Sequence, residues 1–203
     1  LARPFGLLLV TYLSWICGMV VPAGTWSLIL SLSSLFLLCT LSWKSVVKPV
    51  LDDPKLRRDL VLYEAVGFAA FVFFAWCRSH YPDITATEKM MDLGLLNGMG
   101  RATHYPPQNP WLAGHQMTYY YFGYLSWATV NKIAGAPGGV AFNLALASVF
   151  SQAFVGALSL GRSLTGRWAY GVLSAASVAL LGNLDGFLQV LKARTFNLGG
   201  GSG

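Results

Sequence analysis

Segment 78–113 of this 203-residue chain contains both acidic and basic side chains. Carboxylates can take a proton from a reacting hydroxyl, whereas arginine and lysine can hold a phosphate group. The segment therefore combines the residue types of an acid–base site with those of an anion-binding site. Its Asp, Glu, Lys and Arg residues are Arg78, Asp83, Glu88, Lys89, Asp92 and Arg101.

Asp83 is the first candidate for a general base. It follows Pro82 and lies just beyond a predicted membrane helix, at the membrane boundary. Partial loss of water around a carboxylate there would favour its action as a base. The alternative is a turn or helix cap, because Asp often accepts backbone hydrogen bonds at such positions. Glu88 is the second candidate acid, and its alternative role is also helix capping.

A short amphipathic helix is predicted to begin at Thr85. Thr85 and Glu88 fit the capping box, in which Glu follows Ser or Thr after three residues. Met91, Leu95 and Met99 then recur every four residues and so share one face. A helix of this kind is expected to lie at the membrane surface.

Residues that could bind an anion extend along and beyond this helix. Arginine offers a planar fork of donors and lysine a point charge, so both suit a phosphate group. The histidines lack a metal-ligand spacing such as His-x-x-x-His, so a dedicated zinc site is not expected. No cofactor is evident, and a divalent metal stays open as an alternative that no ligand motif supports. The candidate substrate-binding residues here are Arg78, Lys89, Arg101, His104 and His115.

Three prolines between Pro106 and Pro110 predict a stiff, extended segment. Such a segment makes few internal hydrogen bonds and can line a groove. The alternative is a rigid loop that Tyr105 and Trp111 pack over the helices.

Tyr119, Tyr120 and Tyr121 fall within a helix predicted over residues 114–133. Adjacent residues on a helix are roughly 100° apart, so at least one of the three is expected to face the bundle. A buried tyrosine needs a partner for its hydroxyl, and the acids of segment 78–113 are near in sequence. All three are therefore candidate substrate-binding residues, with an aromatic belt at the membrane interface as the alternative.

The composition places these residues in a membrane protein. Charged residues make up 11% of the chain and hydrophobic residues 55%, and the mean hydropathy is +0.53. Because a soluble domain has about 25% charged residues, a disordered chain, a nucleic-acid-binding domain and an ordinary soluble enzyme are excluded. The net charge of +6 agrees with the excess of basic residues in cytoplasmic loops.

The apolar runs predict an all-α, polytopic transmembrane bundle of about six membrane helices, together with the short amphipathic helix. Five basic residues in the charged loop 44–59 indicate that this loop is cytoplasmic. By alternation, segment 78–113 is then extracytoplasmic. The predicted membrane helices cover residues 5–21, 25–43, 60–77, 114–133, 140–160 and 168–182.

The predicted organisation has four regions. Two N-terminal helices within 1–43 precede the charged loop 44–59, and the main membrane domain covers 60–198. The glycine-rich tail 199–203 is expected to be a flexible linker. The chain is expected to be an N-terminal fragment of a longer protein, so the remaining C-terminal region is expected to be among its partners.

Several sequence runs resemble the YYY-domain family, large polytopic membrane proteins of archaea and bacteria without a settled function. The resemblance covers most of the chain from about residue 60 and implies a multi-pass protein of the cell membrane. It is carried by Pro82-Asp83, Glu88-Lys89 and Asp92, and by residues 105–114, 118–124 and 182–187.

A looser resemblance is to the C-type glycosyltransferases, which transfer a sugar from a polyprenyl-phosphate donor at the extracytoplasmic face. In these enzymes an acid of the first long outer loop is the base for the acceptor hydroxyl, and basic residues hold the donor phosphate. By position, the resemblance implies Asp83 as the base and Glu88 as the second acid. The chain departs from the pattern at residues 161–167, which hold no acid.

Two other functions remain open from sequence, a non-catalytic membrane scaffold and a transporter subunit. Transport sites usually lie near the bilayer midplane among broken helices. The ionisable residues of this chain cluster outside the predicted helices instead, which weighs against transport.

Overall fold

The computed structural model describes residues 2–85, 88–179 and 181. Within these residues the secondary structure is helical, apart from one isolated β-bridge between Gln108 and Gln116. A π-helical turn, Trp43–Val47, follows α2. The α-helices are α1 (Ala2–Val20), α2 (Thr25–Leu41), α3 (Lys48–Asp52), α4 (Pro54–His80), α5 (Lys89–Arg101), α6 (Phe122–Ala134), α7 (Gly138–Thr165) and α8 (Trp168–Ala179).

Among the described residues, three helices are long and apolar enough to cross a membrane: α1, α4 and α7. A fourth candidate span combines α2 with Trp43–Asp52, although this pair is bent by 63°. The prediction of an all-α membrane protein is confirmed, but these spans are fewer than the predicted six. The 13 residues of α6 and the 12 of α8 fall short of the roughly 20 that a span needs. The predicted end of the last helix, residue 182, lies outside the described residues.

The charged loop predicted over residues 44–59 is instead largely helical. It contains the π-helical turn, α3 and the start of α4. Asp53 caps α4, because its Oδ1 accepts hydrogen bonds from the backbone N–H groups of Lys55 at 2.8 Å and Leu56 at 3.3 Å. Pro54 takes the first helical position, where its missing N–H costs nothing. Because of this local capping, α4 begins at residue 54, six residues before the predicted start at residue 60.

The amphipathic helix is confirmed, but its predicted start was wrong. Thr85 is not helical, and α5 begins at Lys89. Glu88 precedes the helix, but its side chain makes no capping hydrogen bond. The predicted capping box is therefore not formed between these two residues.

Small polar side chains join α1 to α2. Ser14 and Ser27 lie face to face with their Oγ atoms 3.2 Å apart, and both are buried. Ser31 donates to the carbonyl of Ser27 at 2.8 Å, while Thr11 donates to the carbonyl of Leu7 at 2.7 Å. Small residues with satisfied hydroxyls let membrane helices approach closely.

The chain forms two compact units, residues 1–152 and 153–203. In the second unit, the last turns of α7 pack against α8. A Cβ on Gly171 would lie 2.7 Å from the Leu158 carbonyl oxygen, so this close approach requires glycine. Ala175 is fully buried in the same contact region of α8.

The first unit has one hydrophobic core, built by α5, α6, the start of α7 and the segment between α5 and α6. Leu95, Met99 and Leu125 are fully buried in it. This core therefore holds segment 102–121 against the membrane helices. Its other members are Leu96, Tyr105, Met117, Ala128, Ala141 and Phe142.

Segment 102–121 is also tied to the end of α1. The N–H of Tyr105 donates to the carbonyl of Gly18 at 3.2 Å, and the N–H of Ala23 donates to the carbonyl of Thr103 at 2.6 Å. The ring of Tyr105 lies so close to Gly18 that a Cβ there would clash with it. Burial raises the pKa of Tyr105 to about 12, so this ring stays neutral at physiological pH.

Gly18→Ala should therefore destabilise the protein by about 1–3 kcal/mol, the usual effect of overpacking a filled site. The measurement is thermal unfolding in detergent. Gly6→Ala is the matched control in the same helix, because nothing lies within 4 Å of its added Cβ. Equal melting temperatures for the two variants would contradict the close Gly18–Tyr105 contact.

Candidate functional site

A polar groove of about 950 Å³ lies between α5 and residues 102–116. One wall is the face of α5 that carries Gly94, Asn97, Gly98 and Arg101. The other wall is a short hairpin. In it, the backbone N–H of Asn109 donates to the carbonyl of His115 at 2.9 Å, and the backbone N–H of Met117 donates to the carbonyl of Pro107 at 2.8 Å. The proline-rich segment thus lines a groove, and Tyr105 and Trp111 also pack it against α1 and α5, so features of both interpretations are present.

The hairpin packs closely on α5 at Gly94 and in ordinary contact at Gly98. A Cβ on Gly94 would lie 2.9 Å from Cζ2 of Trp111, and one on Gly98 would lie 3.6 Å from Cγ of Pro110. At the hairpin tip, Asn109 Oδ1 accepts from the N–H of Trp111 at 2.9 Å. The tip ends at Gly114, whose φ of +80° favours glycine.

Three of the candidate anion-binding residues line the groove: Arg101, His104 and His115. All three side chains are exposed to solvent. The residues that line the groove include no Asp or Glu. A groove with this lining suits a ligand that carries negative charge and hydroxyl groups. The other polar and aromatic side chains in the lining are Asn97, Thr103, Gln108, Asn109, Trp111 and Gln116.

Lys132 supports the end of α5 beside Arg101. Its Nζ donates to the carbonyl of Gly100 at 2.8 Å. A cation at a helix C-terminus satisfies an orphan carbonyl and complements the helix dipole. This contact anchors α5 to α6 at the end where Arg101 enters the groove.

Arg78 and Asp83 belong to a different cluster. Arg78 donates to Oδ1 of Asn143 from Nε at 2.9 Å and from a terminal nitrogen at 2.6 Å, and it reaches the backbone carbonyl of Asp83 at 3.4 Å. Asn143 in turn donates to the carbonyls of Pro82 at 2.9 Å and Gly139 at 3.1 Å. This network fixes the backbone around Asp83 against α7, while the side chain of Asp83 is exposed.

The structure does not bring all the candidate residues together. Lys89 opens α5 and Arg101 ends it, so they are about 18 Å apart along the helix at 1.5 Å per residue. Glu88 is exposed just before α5. Neither Asp83 nor Glu88 lines the polar groove. Glu88 and Arg101 therefore lie at opposite ends of α5, and Asp83 lies outside the groove.

The tyrosines precede a helix instead of lying within one. Residues 114–121 are not helical, and α6 begins at Phe122. The helix predicted over 114–133 was wrong in its first third because residues 115–117 pair with 107–109. Tyr121 nevertheless has a partner in the bundle, since its hydroxyl accepts from Nε1 of Trp15 at 2.9 Å.

Tyr119 and Tyr120 form an exposed pair. Their ring centroids are 3.8 Å apart and their hydroxyls are hydrogen-bonded to each other. This hydrogen bond raises the pKa of Tyr119 to about 12. Tyr124, one turn into α6, donates its hydroxyl to Oδ1 of Asp92 at 2.5 Å. An acid of segment 78–113 thus does bind a tyrosine, but the pair is Asp92 with Tyr124.

Within the described residues, no three His, Cys, Asp or Glu side chains come together as a metal site. The expectation of no dedicated zinc site stays a prediction. Sequence reasoning missed the groove amides Asn97, Gln108 and Gln116. The spacing of Gly94 and Gly98 was the available signal, because two glycines one turn apart on a helix mark a close packing partner.

Asn143→Ala should loosen the backbone that carries Asp83. The change removes the hydrogen bonds to Arg78 and Pro82, and losing buried or half-buried partners costs about 1–3 kcal/mol. We expect faster amide hydrogen exchange at Asp83 and Ile84. Ser148→Ala in the same helix is the control, since its hydroxyl bonds to the carbonyl of Leu144 within α7. Unchanged exchange in Asn143→Ala would show that the network does not hold this segment.

A family model matches this chain, whereas no individual curated protein or solved structure does. The family model, described as uncharacterized membrane protein (DUF2298), matches residues 9–200. Because the family model covers nearly the whole chain, the protein belongs to the DUF2298 family of membrane proteins, the YYY-domain family that its sequence runs resemble.

Proposed function

We propose that the protein is a glycosyltransferase-like enzyme of the cell membrane, acting on a sugar carried by a polyprenyl phosphate. The observation that carries this proposal is the polar groove, which gathers Arg101, His104 and His115 beside membrane helices. Arginine and histidine can hold a phosphate, and a groove rich in amides can bind sugar hydroxyls. We place the groove on the extracytoplasmic side.

In this proposal, the groove binds the phosphate-linked sugar while the prenyl chain stays in the bilayer. The bond between the anomeric carbon and the phosphate oxygen breaks, and the phosphate leaves with the electron pair. Arg101 stabilises the negative charge of the leaving phosphate. A new bond forms between the anomeric carbon and an acceptor hydroxyl, whose proton passes to a base.

Two groups of residues are candidates for that base. Asp83 is the residue that the glycosyltransferase resemblance implies, with Glu88 as a second acid. Because neither lines the groove, Asp83 would serve only with an acceptor that extends beyond the groove to reach it. His104 and His115 are the proton acceptors that the groove lining itself supplies. Trp111 offers an apolar face for stacking a sugar ring.

Arg101→Gln should weaken binding of the donor. With purified full chain and farnesyl phosphate that carries one hexose, we expect at least a tenfold weaker Kd, because a charge-assisted phosphate contact is removed. Arg57→Gln is the matched control, since Arg57 is exposed on α4, outside the groove. Equal affinities for the two variants would refute the groove as the donor site.

Catalysis is tested by mass spectrometry of glycolipids and glycans made in cells that carry single variants. We expect His104→Gln, His115→Gln or Asp83→Asn to abolish the product while the protein level stays normal, and the variant that does so names the candidate base. If all of these variants and Arg101→Gln leave the products unchanged, the protein is a non-catalytic scaffold.

A further inference from the structure

A second cavity, of about 390 Å³, lies against the opposite face of α5 from the polar groove. Asp92 and Leu96 contribute from α5, at positions that are about 160° around the helix from the groove residues. The walls come from α6 and from the start of α7. They are apolar and aromatic: Phe122, Trp127, Phe142, Ala145, Leu146 and Val149.

The polar side chains that line this cavity are one carboxylate, Asp92, and two tyrosine hydroxyls, Tyr120 and Tyr124, so the cavity favours a cationic group. Asp92 is half-buried, and its Oδ1 accepts the hydroxyl of Tyr124 at 2.5 Å. Tyr120 lines the same cavity and is 72% exposed, so the polar side of the cavity opens to the surface. No Lys, Arg or His is among the lining residues.

We infer that this cavity binds an amphiphile with an ammonium head group, placing the head beside Asp92 and Tyr120 and the apolar chain against Phe122, Trp127 and Leu146. A carboxylate attracts an ammonium ion, and aromatic faces bind it through cation–π contacts. The volume lies within the range of small-molecule sites.

The same carboxylate argues against an anionic head group in this cavity. A phosphate beside Asp92 would place two negative charges close together without a cation among the lining residues to compensate them. The polyprenyl-phosphate head of the proposed donor therefore belongs in the groove, which contains Arg101. The amine site goes beyond the proposed sugar transfer and does not depend on it.

The test uses the purified full chain in a neutral maltoside detergent and three brominated probes that quench tryptophan fluorescence. These are 11-bromoundecyl trimethylammonium, 11-bromoundecanol and 11-bromoundecyl sulfate. The signal of Trp127 is taken as the difference between the unaltered protein and Trp127→Phe. We expect the ammonium probe to reach half-maximal quenching at a roughly tenfold lower concentration than the alcohol. The sulfate should quench least.

Asp92→Asn should remove that preference, because the amide keeps an acceptor for Tyr124 but loses the charge. Asp52→Asn is the matched control, since Asp52 is exposed at the end of α3, outside the cavity. Equal quenching by the three probes in the unaltered protein would overturn the proposal without any variant. So would an ammonium preference that survives in Asp92→Asn.

A second titration separates a membrane lipid from a free amine as the source of the ammonium group. Chain-brominated phosphatidylethanolamine and phosphatidylglycerol are compared in mixed micelles. Stronger quenching of Trp127 by phosphatidylethanolamine supports the amine site and assigns it to a lipid. Equal quenching by the two lipids, together with the ammonium preference above, supports a site for a free amphiphilic amine.

Discussion

The packing of α5 against α6 is the contact on which the rest of the first unit depends. Leu95, Met99 and Leu125 are fully buried there, and burial of each such side chain stabilises the fold by roughly 1.5–3 kcal/mol. Tyr105 and Met117 complete the same core from the segment between the two helices. Because α5 is not long enough to span a bilayer, protein packing holds it in place. Its two remaining faces line two separate cavities.

The two cavities differ in the sign of their charge. The groove on one face of α5 contains Arg101 and two histidines and is lined by no acid, whereas the cavity on the opposite face contains Asp92 and no basic residue. A single short helix thus separates an anion-attracting surface from a cation-attracting one. The exposed acids Asp83 and Glu88 belong to neither cavity. Because the two cavities lie on different faces of α5, a sugar phosphate in the groove and an amine in the apolar cavity would bind independently of each other.

Patterns local in sequence predicted the fold better than they predicted the site. The four-residue spacing of Leu95 and Met99 predicted the buried face of α5, and the low charge predicted the membrane helices. The helix predicted through Tyr119 was wrong because backbone pairing between residues 107–109 and 115–117 removes that stretch from the helix. Such pairing joins backbone groups of a hairpin that packs on α5 at Gly94, and hydrophobic periodicity does not report it. The groove amides were missed for the same reason.

The docking of Tyr105 on Gly18 links the groove to the bilayer itself. The candidate span within α1 has 18 residues and is therefore about 27 Å long, slightly shorter than a typical hydrocarbon core of about 30 Å. A thicker membrane would oppose tilting of α1, and a thinner one would permit it. Because Thr103, His104 and Pro106 adjoin the docked tyrosine and line the groove, a change in helix tilt would move that wall. Hydrophobic mismatch at α1 would in this way change the width of the groove.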